Sequence, residues 1–259
     1  MKQFLIYLFI TILIFGCQPP KPIVKEEPPP PAIKEIIPDM IIKFATIDIS
    51  KFGKRIELSD IQKFARQLKS DSIDILTMHG ITRYPELKTR VDIVEELAKE
   101  TETRKSFGET INLGGRQSGN SVFSVYPIRS SDNLQFEKIK STGFEAAMQT
   151  IIDCGALNIV VISTHITEKA SKDDLESIIS SLKQLPETFQ SYPIIISGNL
   201  NSDKLLDKFS AVDDKSNNGS IPVWFSANGT LKVTSQQAKQ SVFGKMTTIV
   251  LAIFTKPQP

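Results

Sequence analysis

The chain is poor in the residues that build many kinds of site. Only two cysteines and two histidines occur in 259 residues. Cys17 closes an N-terminal apolar run, so Cys154 is the one thiol left for the body of the protein, and one thiol cannot form an internal disulfide. An excess of charge is missing too: 31 basic and 29 acidic residues leave a formal charge of +2. Without a clustered basic excess there is no electrostatic footprint for nucleic acid, which is therefore not expected as a partner. No apolar run reaches the roughly 20 residues that a helix needs to cross a hydrocarbon core. Glycine-rich phosphate loops and nucleophile elbows are absent, and Asp213-Asp214 lacks the alternating ligand spacing of a calcium loop. What is present, 40% hydrophobic and 23% charged residues, is the composition of an ordinary folded domain.

The N-terminus has the layout of a secretory signal segment. Lys2 precedes a stretch from Phe4 to Phe15 that is apolar apart from Thr11 and ends in Gly16-Cys17. The tetrapeptide Ile14-Phe15-Gly16-Cys17 resembles a bacterial lipobox, although Phe15 is bulky for its place. That resemblance implies a signal peptide over residues 1–16, removal of it, and acylation of Cys17, so that membrane lipid is an expected partner and the folded part is extracytoplasmic. Loss of residues 1–16 removes Lys2 and no acid, and the charge falls from +2 to +1. Gln18 stands where an Asp would imply inner-membrane retention by the same analogy, so the outer membrane is favoured where the cell has one.

Residues 17–40 follow as a spacer. Gln18 to Met40 holds eight of the fifteen prolines, including the run Pro28 to Pro31, and proline removes backbone donors and fixes φ. An extended linker is expected, with a reach on the order of 70 Å at about 3.1 Å per residue. From residue 41 to 259 the pattern becomes that of one compact domain. Strands are expected at 41–49, 73–78, 121–126, 145–152, 157–163, 192–197, 223–226, 231–234 and 247–254. Helices are expected at 59–68, at 85–99 and from Ser171 onward, where apolar residues recur at helical spacing. Mixed strands with helices outside them imply a layered α/β domain with two packed sheets.

Three segments carry a more specific likeness. They are Gly119-Asn120-Ser121-Val122-Phe123-Ser124-Val125-Tyr126-Pro127-Ile128, Val160-Val161-Ile162-Ser163-Thr164-His165-Ile166, and Ile194-Ile195-Ile196-Ser197-Gly198-Asn199-Leu200-Asn201-Ser202. In order and spacing they resemble the endonuclease/exonuclease/phosphatase family, over about Ile41 to Phe254. The resemblance implies a four-layered α/β sandwich and divalent-metal-dependent cleavage of phosphate esters. Magnesium prefers hard oxygen ligands, so carboxylates at the strand ends matter most.

Most of the groups that the resemblance implies are replaced. Asp48 takes the place of an Asn after the first strand, and His79-Gly80 the place of a Gln-Glu pair. Asn199 replaces the acid of a Gly-Asp-x-Asn turn, and an amide cannot act as a base at neutral pH. The later Asp falls among Ser220, Ile221 and Pro222, and Phe243-Gly244-Lys245-Met246 stands where Ser-Asp-His belongs. His165 and Asn201 are retained.

His165, Asn199 and Asn201 are thus the catalytic-type candidates, and Asp48 with His79 a conceivable metal pair, joined by His165. The expectation is a lipid-anchored binding or scaffolding module that has lost hydrolysis, needs no cofactor, and has a cell-envelope protein as a possible partner. The alternatives are a phosphodiesterase or phosphatase with a rearranged magnesium or manganese site, and a structural protein of the envelope.

Overall fold

The computed structural model describes residues 38–136, 145–155, 157–165, 192–198, 209–211, 223–226 and 230–254. The expected signal segment, Cys17, the proline spacer up to residue 37, the helix from Ser171, and both Asn199 and Asn201 lie outside them. Among the described residues, no helix is long and apolar enough to cross a membrane.

Strand β1 (Met40–Asp48) alternates between two apolar environments, which fixes it as a central strand. Ile42 and Phe44 face one buried cluster, while Ala45 and Ile47 face another. It runs parallel to β2 (Ile75–Arg83) and antiparallel to the last strand, β12 (Gly244–Ile253). The chain between β1 and β2 carries helix α1 (Leu58–Asp71), whose Ile61, Phe64, Ala65 and Leu68 form one buried stripe. The Asp60 carboxylate accepts the Glu57 N–H at the start of α1. The helix ends at Ser72, in the left-handed region at φ 55°.

The second helix is shorter than its apolar pattern suggests. Helix α2 (Ile93–Thr101) starts only after residue 92, because Asp92 caps it by accepting the N–H groups of Val94 and Glu95 at 3.0 and 3.4 Å. Asp92 is held in that place by Arg83 at 2.6 Å. Residues 84–90 make two turns instead, closed by Leu87 N–H to Tyr84 and Arg90 N–H to Leu87.

Next come β3 (Arg104–Leu113) and β4 (Arg116–Ser124), joined by Gly114-Gly115. Both glycines have positive φ, 59° and 78°, which a two-residue hairpin turn of this hand requires. Strands β5 (Ile128–Phe136), β6 (Glu145–Asp153) and β7 (Asn158–Thr164) form an antiparallel meander. The remaining elements among the described residues are β8 (Ile194–Ser197), β9 (Phe209–Ala211), β10 (Val223–Ser226) and β11 (Leu231–Ser241). One sheet has the order β11-β12-β1-β2-β4-β3 and the other β5-β6-β7-β8-β10-β9. Strands β7 and β8 are parallel, as β1 and β2 are in the first sheet.

Two cores result. Between the sheets, Ile42, Phe44, Ile75, Val122 and Ile249 meet Ile152, Ile159, Val161, Ile195 and Val223. On the far side of the first sheet, α1 and α2 cover Ile47, Leu76, Met78 and Phe123. Each fully buried aliphatic side chain contributes about 1.5–3 kcal/mol, so both layers hold the domain together. The expected sandwich of two mixed sheets with helices outside is the fold of this protein. Strands β3, β5 and β9, and the extension of β11 past Thr234, were not foreseen. All four lie at sheet edges; β9 is only three residues long, and in the others polar residues face water and the apolar pattern fades.

Candidate functional site

Parallel strands present their carboxyl ends on a common edge, where open α/β sheets bind ligands. Asp48 ends β1, and its register partner on β2 is His79. Across the sheet interface, β7 ends in Ser163-Thr164-His165 and β8 in Ser197-Gly198. The phase of each strand decides what this edge contains. Thr46, Thr77 and His79 continue the inward series of Ile42, Phe44 and Ile75, while Ser163 and Ser197 continue that of Val161 and Ile195.

His79 is fully buried and bridges the two sheets. Its Nε2 lies 3.0 Å from Thr46 Oγ1 and 3.5 Å from Ser197 Oγ, and its Nδ1 lies 3.2 Å from Ser163 Oγ. Ser197 in turn donates to Thr77 Oγ1 at 2.8 Å. A neutral imidazole has one donor and one acceptor nitrogen, and a hydroxyl can serve either. Burial pushes the ring's pKa down to about 3; the nearby His165 adds to this and Asp48 opposes it. The ring is therefore uncharged at neutral pH, and it acts as a polar strut inside an apolar interface.

The chain makes room for that strut with a bulge. Met78 pairs with Ser121 and Ile81 with Gly119, so His79 and Gly80 together oppose Asn120. The slip returns Ile81 to the helix-facing core beside Met78. Gly80 adopts φ +66°, and a Cβ built on it would lie 2.5 Å from Ser50 Cβ and 2.8 Å from Ser50 Cα. Ser50 cannot easily yield. Its N–H donates to Asp48 Oδ1 at 2.8 Å, and the preceding Ile49 N–H donates to the His79 carbonyl at 3.0 Å.

Asp48 and His165 are the groups that do reach the open edge, with 29% and 25% of their side-chain surfaces exposed. His165 Nδ1 lies 3.7 Å from Asp48 Oδ2, beyond hydrogen-bond length. Gly198, at φ +129°, brings the end of β8 against β7: a Cβ there would lie 1.5 Å from the Thr164 carbonyl oxygen. Only glycine permits this approach. At the start of β12, Met246 pairs with Ile47, so the strand end that should carry Ser-Asp-His does adjoin Asp48. Phe243 turns away into the helix-side core, edge-on to Phe52 and Phe64 with ring centres 5.2 Å apart in both pairs.

The structure thus brings Asp48 and His165 together and turns His79 inward, with both ring nitrogens facing hydroxyls. The hydroxyls of Thr46, Thr77, Ser163 and Ser197 were not singled out in the sequence. The available signal was a polar residue at the last inward position of each apolar strand. Among the described residues, no group of three His, Cys, Asp or Glu side chains is placed to hold a metal ion. Among the described residues, the donors at this edge are too few for magnesium, which needs several hard oxygens. Asp48 offers one free carboxylate oxygen, and position 80 has no space for a second carboxylate without moving Ser50.

Neither a protein-family profile nor a curated protein matches this chain. Solved structures do. An endonuclease/exonuclease/phosphatase from Beutenbergia cavernae DSM 12333 matches with TM-score 0.64 and 13% identity, over 83% of this chain and 72% of that one. An endonuclease/exonuclease/phosphatase family protein from Leptotrichia buccalis C-1013-b matches with TM-score 0.60 and 16% identity, over 82% and 99%. The catalytic domain of human Nocturnin, solved with a bound sulfate anion, matches with TM-score 0.60 and 12% identity, over 83% and 94%. At these identities the likeness is one of fold. This chain has the endonuclease/exonuclease/phosphatase fold.

Proposed function

We propose that this protein is a lipid-anchored, extracytoplasmic binding or scaffolding module, built on a phosphoesterase fold that no longer hydrolyses. The observation that carries the reading is Gly80. The position that a metal-anchoring carboxylate would occupy is packed against the Ser50 backbone in a left-handed conformation, so the loop is rebuilt around a missing side chain. Phe243 supports it from the other side, since an aromatic core residue stands in place of an acid-base triplet. Acylated Cys17 and the proline spacer then supply the protein's address, with a protein of the cell envelope as the partner.

Calorimetric titration of the soluble domain with magnesium and with manganese tests the loss of the metal site, and the expected heat is that of dilution. Saturable binding that His165→Ala and Asp48→Ala both weaken would favour a second reading, a hydrolase with a rearranged metal site. That reading draws on the proximity of Asp48 and His165. Crosslinking in intact cells tests the partner: the expected product joins this chain to an envelope protein, and a chain recovered only as itself contradicts scaffolding.

A further inference from the structure

Beside the edge, on the helix side of the first sheet, the loops that follow β1 and β2 enclose a cleft of about 350 Å³. It adjoins the Asp48 edge: Ser50 and Gly80 line the cleft, and the Ser50 N–H donates to Asp48 Oδ1. Its apolar surface comes from the partly exposed Phe52, Ile56 and Val91, which lie beside Ser50, Thr82 and Tyr84. The rim carries Lys54, Arg55 and Arg90. Only Arg55 is neutralised: Glu57 lies 3.4 Å from its Nε, and the Thr89 carbonyl accepts from its Nη2 at 2.7 Å. Arg90 stacks its guanidinium 4.1 Å above the Tyr84 ring, which fixes the plane of the fork and leaves its N–H groups free. Among the described residues, no carboxylate lies within ion-pair distance of Lys54 or Arg90.

Two unneutralised cations beside an apolar patch fit one kind of ligand. A monovalent anion leaves one cation unmatched, and a purely apolar molecule leaves both. We propose that the cleft binds a small dianion carried on an apolar body, held through charge-assisted hydrogen bonds from Arg90 and Lys54, with its apolar part against Phe52, Ile56 and Val91. This gives the binding-module reading a ligand class and rests on that reading only in treating the ligand as bound and not cleaved. The shared chemistry has two sources, a soluble organic dianion and the doubly charged headgroup of a lipid.

Phenyl phosphate, inorganic phosphate and benzoate serve as soluble probes, titrated against the domain and followed by amide chemical shifts or calorimetry. The expected order is phenyl phosphate tightest, inorganic phosphate weaker for want of an apolar body, and benzoate weaker for want of the second charge. Arg90→Glu and Lys54→Glu, both at exposed positions, each weaken phenyl phosphate about tenfold or more, as the loss of a charged hydrogen-bonding group predicts. Vesicles of phosphatidylcholine with phosphatidic acid form the lipid arm: capture that Arg90→Glu abolishes assigns the cleft to a headgroup, and phenyl phosphate binding without capture assigns it to a soluble ligand. Equal affinity for all three soluble probes, or unchanged binding in both variants, overturns the proposal. Turnover of phenyl phosphate with the Arg90 effect intact overturns the non-hydrolytic reading and leaves the cleft standing.

Discussion

Acid should destabilise this domain through one side chain. His79 is fully buried, with its pKa lowered to about 3 by burial first and by His165 second, against an ordinary value near 6.5. The unfolded chain therefore takes up a proton on His79 below pH 6.5, while the folded chain resists until about pH 3. Stability from this group is fully present above pH 6.5 and is lost as pH falls through that window, at about 1.4 kcal/mol per pH unit. At pH 5 the loss from His79 alone comes to about 2 kcal/mol. The groups facing the ring are the hydroxyls of Thr46, Ser163 and Ser197, which carry no charge, with Asp48 and His165 beyond them at the edge. Urea unfolding at pH 7.5 and pH 5, on the wild type and on His79→Gln, isolates the effect, because the other titrating groups cancel in the comparison. The wild type should lose about 2 kcal/mol more than the variant. Equal losses would refute the buried neutral imidazole.

Other perturbations follow from the same geometry. Gly80→Ala should cost about 2 kcal/mol or more from the left-handed backbone and the Ser50 contact, read as a shift of the denaturant midpoint; an unchanged midpoint contradicts the packing described. Phe243→Ala should cost about 3 kcal/mol, because it empties a site shared with Phe52 and Phe64, and thermal unfolding measures it. Cys154 is buried with its thiol pushed up to about 12, so a disulfide reagent at pH 8 should label it only after denaturant is added. Cys17→Ser should move the protein from the membrane to the soluble fraction, and retention in the membrane fraction would remove the lipid anchor from the account.

Much of the fold was legible because the central strands are apolar on both faces. Ile41 to Ile49, Leu157 to Ser163 and Val223 to Ser226 sit within a residue or so of β1, β7 and β10. The edges were less legible. Strand β5, with Ser130, Ser131, Asp132 and Asn133, owes its conformation to pairing with β6, which no local pattern records. The hairpin signal of Gly114-Gly115 was present in the sequence but went unused, and β3 was missed with it. Residues 85–92 carry helix-compatible spacing, yet the Asp92 cap sets the start of α2 and the spacing does not. At the site, the place of Asp48 and His165 on one edge follows from strand order alone. The inward turn of His79 follows from its phase with Ile75 and Thr77, and its hydroxyl partners are set by the pairing of two sheets far apart in sequence.

The steric exclusion at Gly80 matters only if it silences the chemistry of the fold. Release of p-nitrophenol from bis(p-nitrophenyl) phosphate, with magnesium and then manganese, by the purified domain beside its His165→Ala variant tests this most directly. Both proteins should match the metal-only blank. Metal-dependent release by the wild type that His165→Ala abolishes would contradict it.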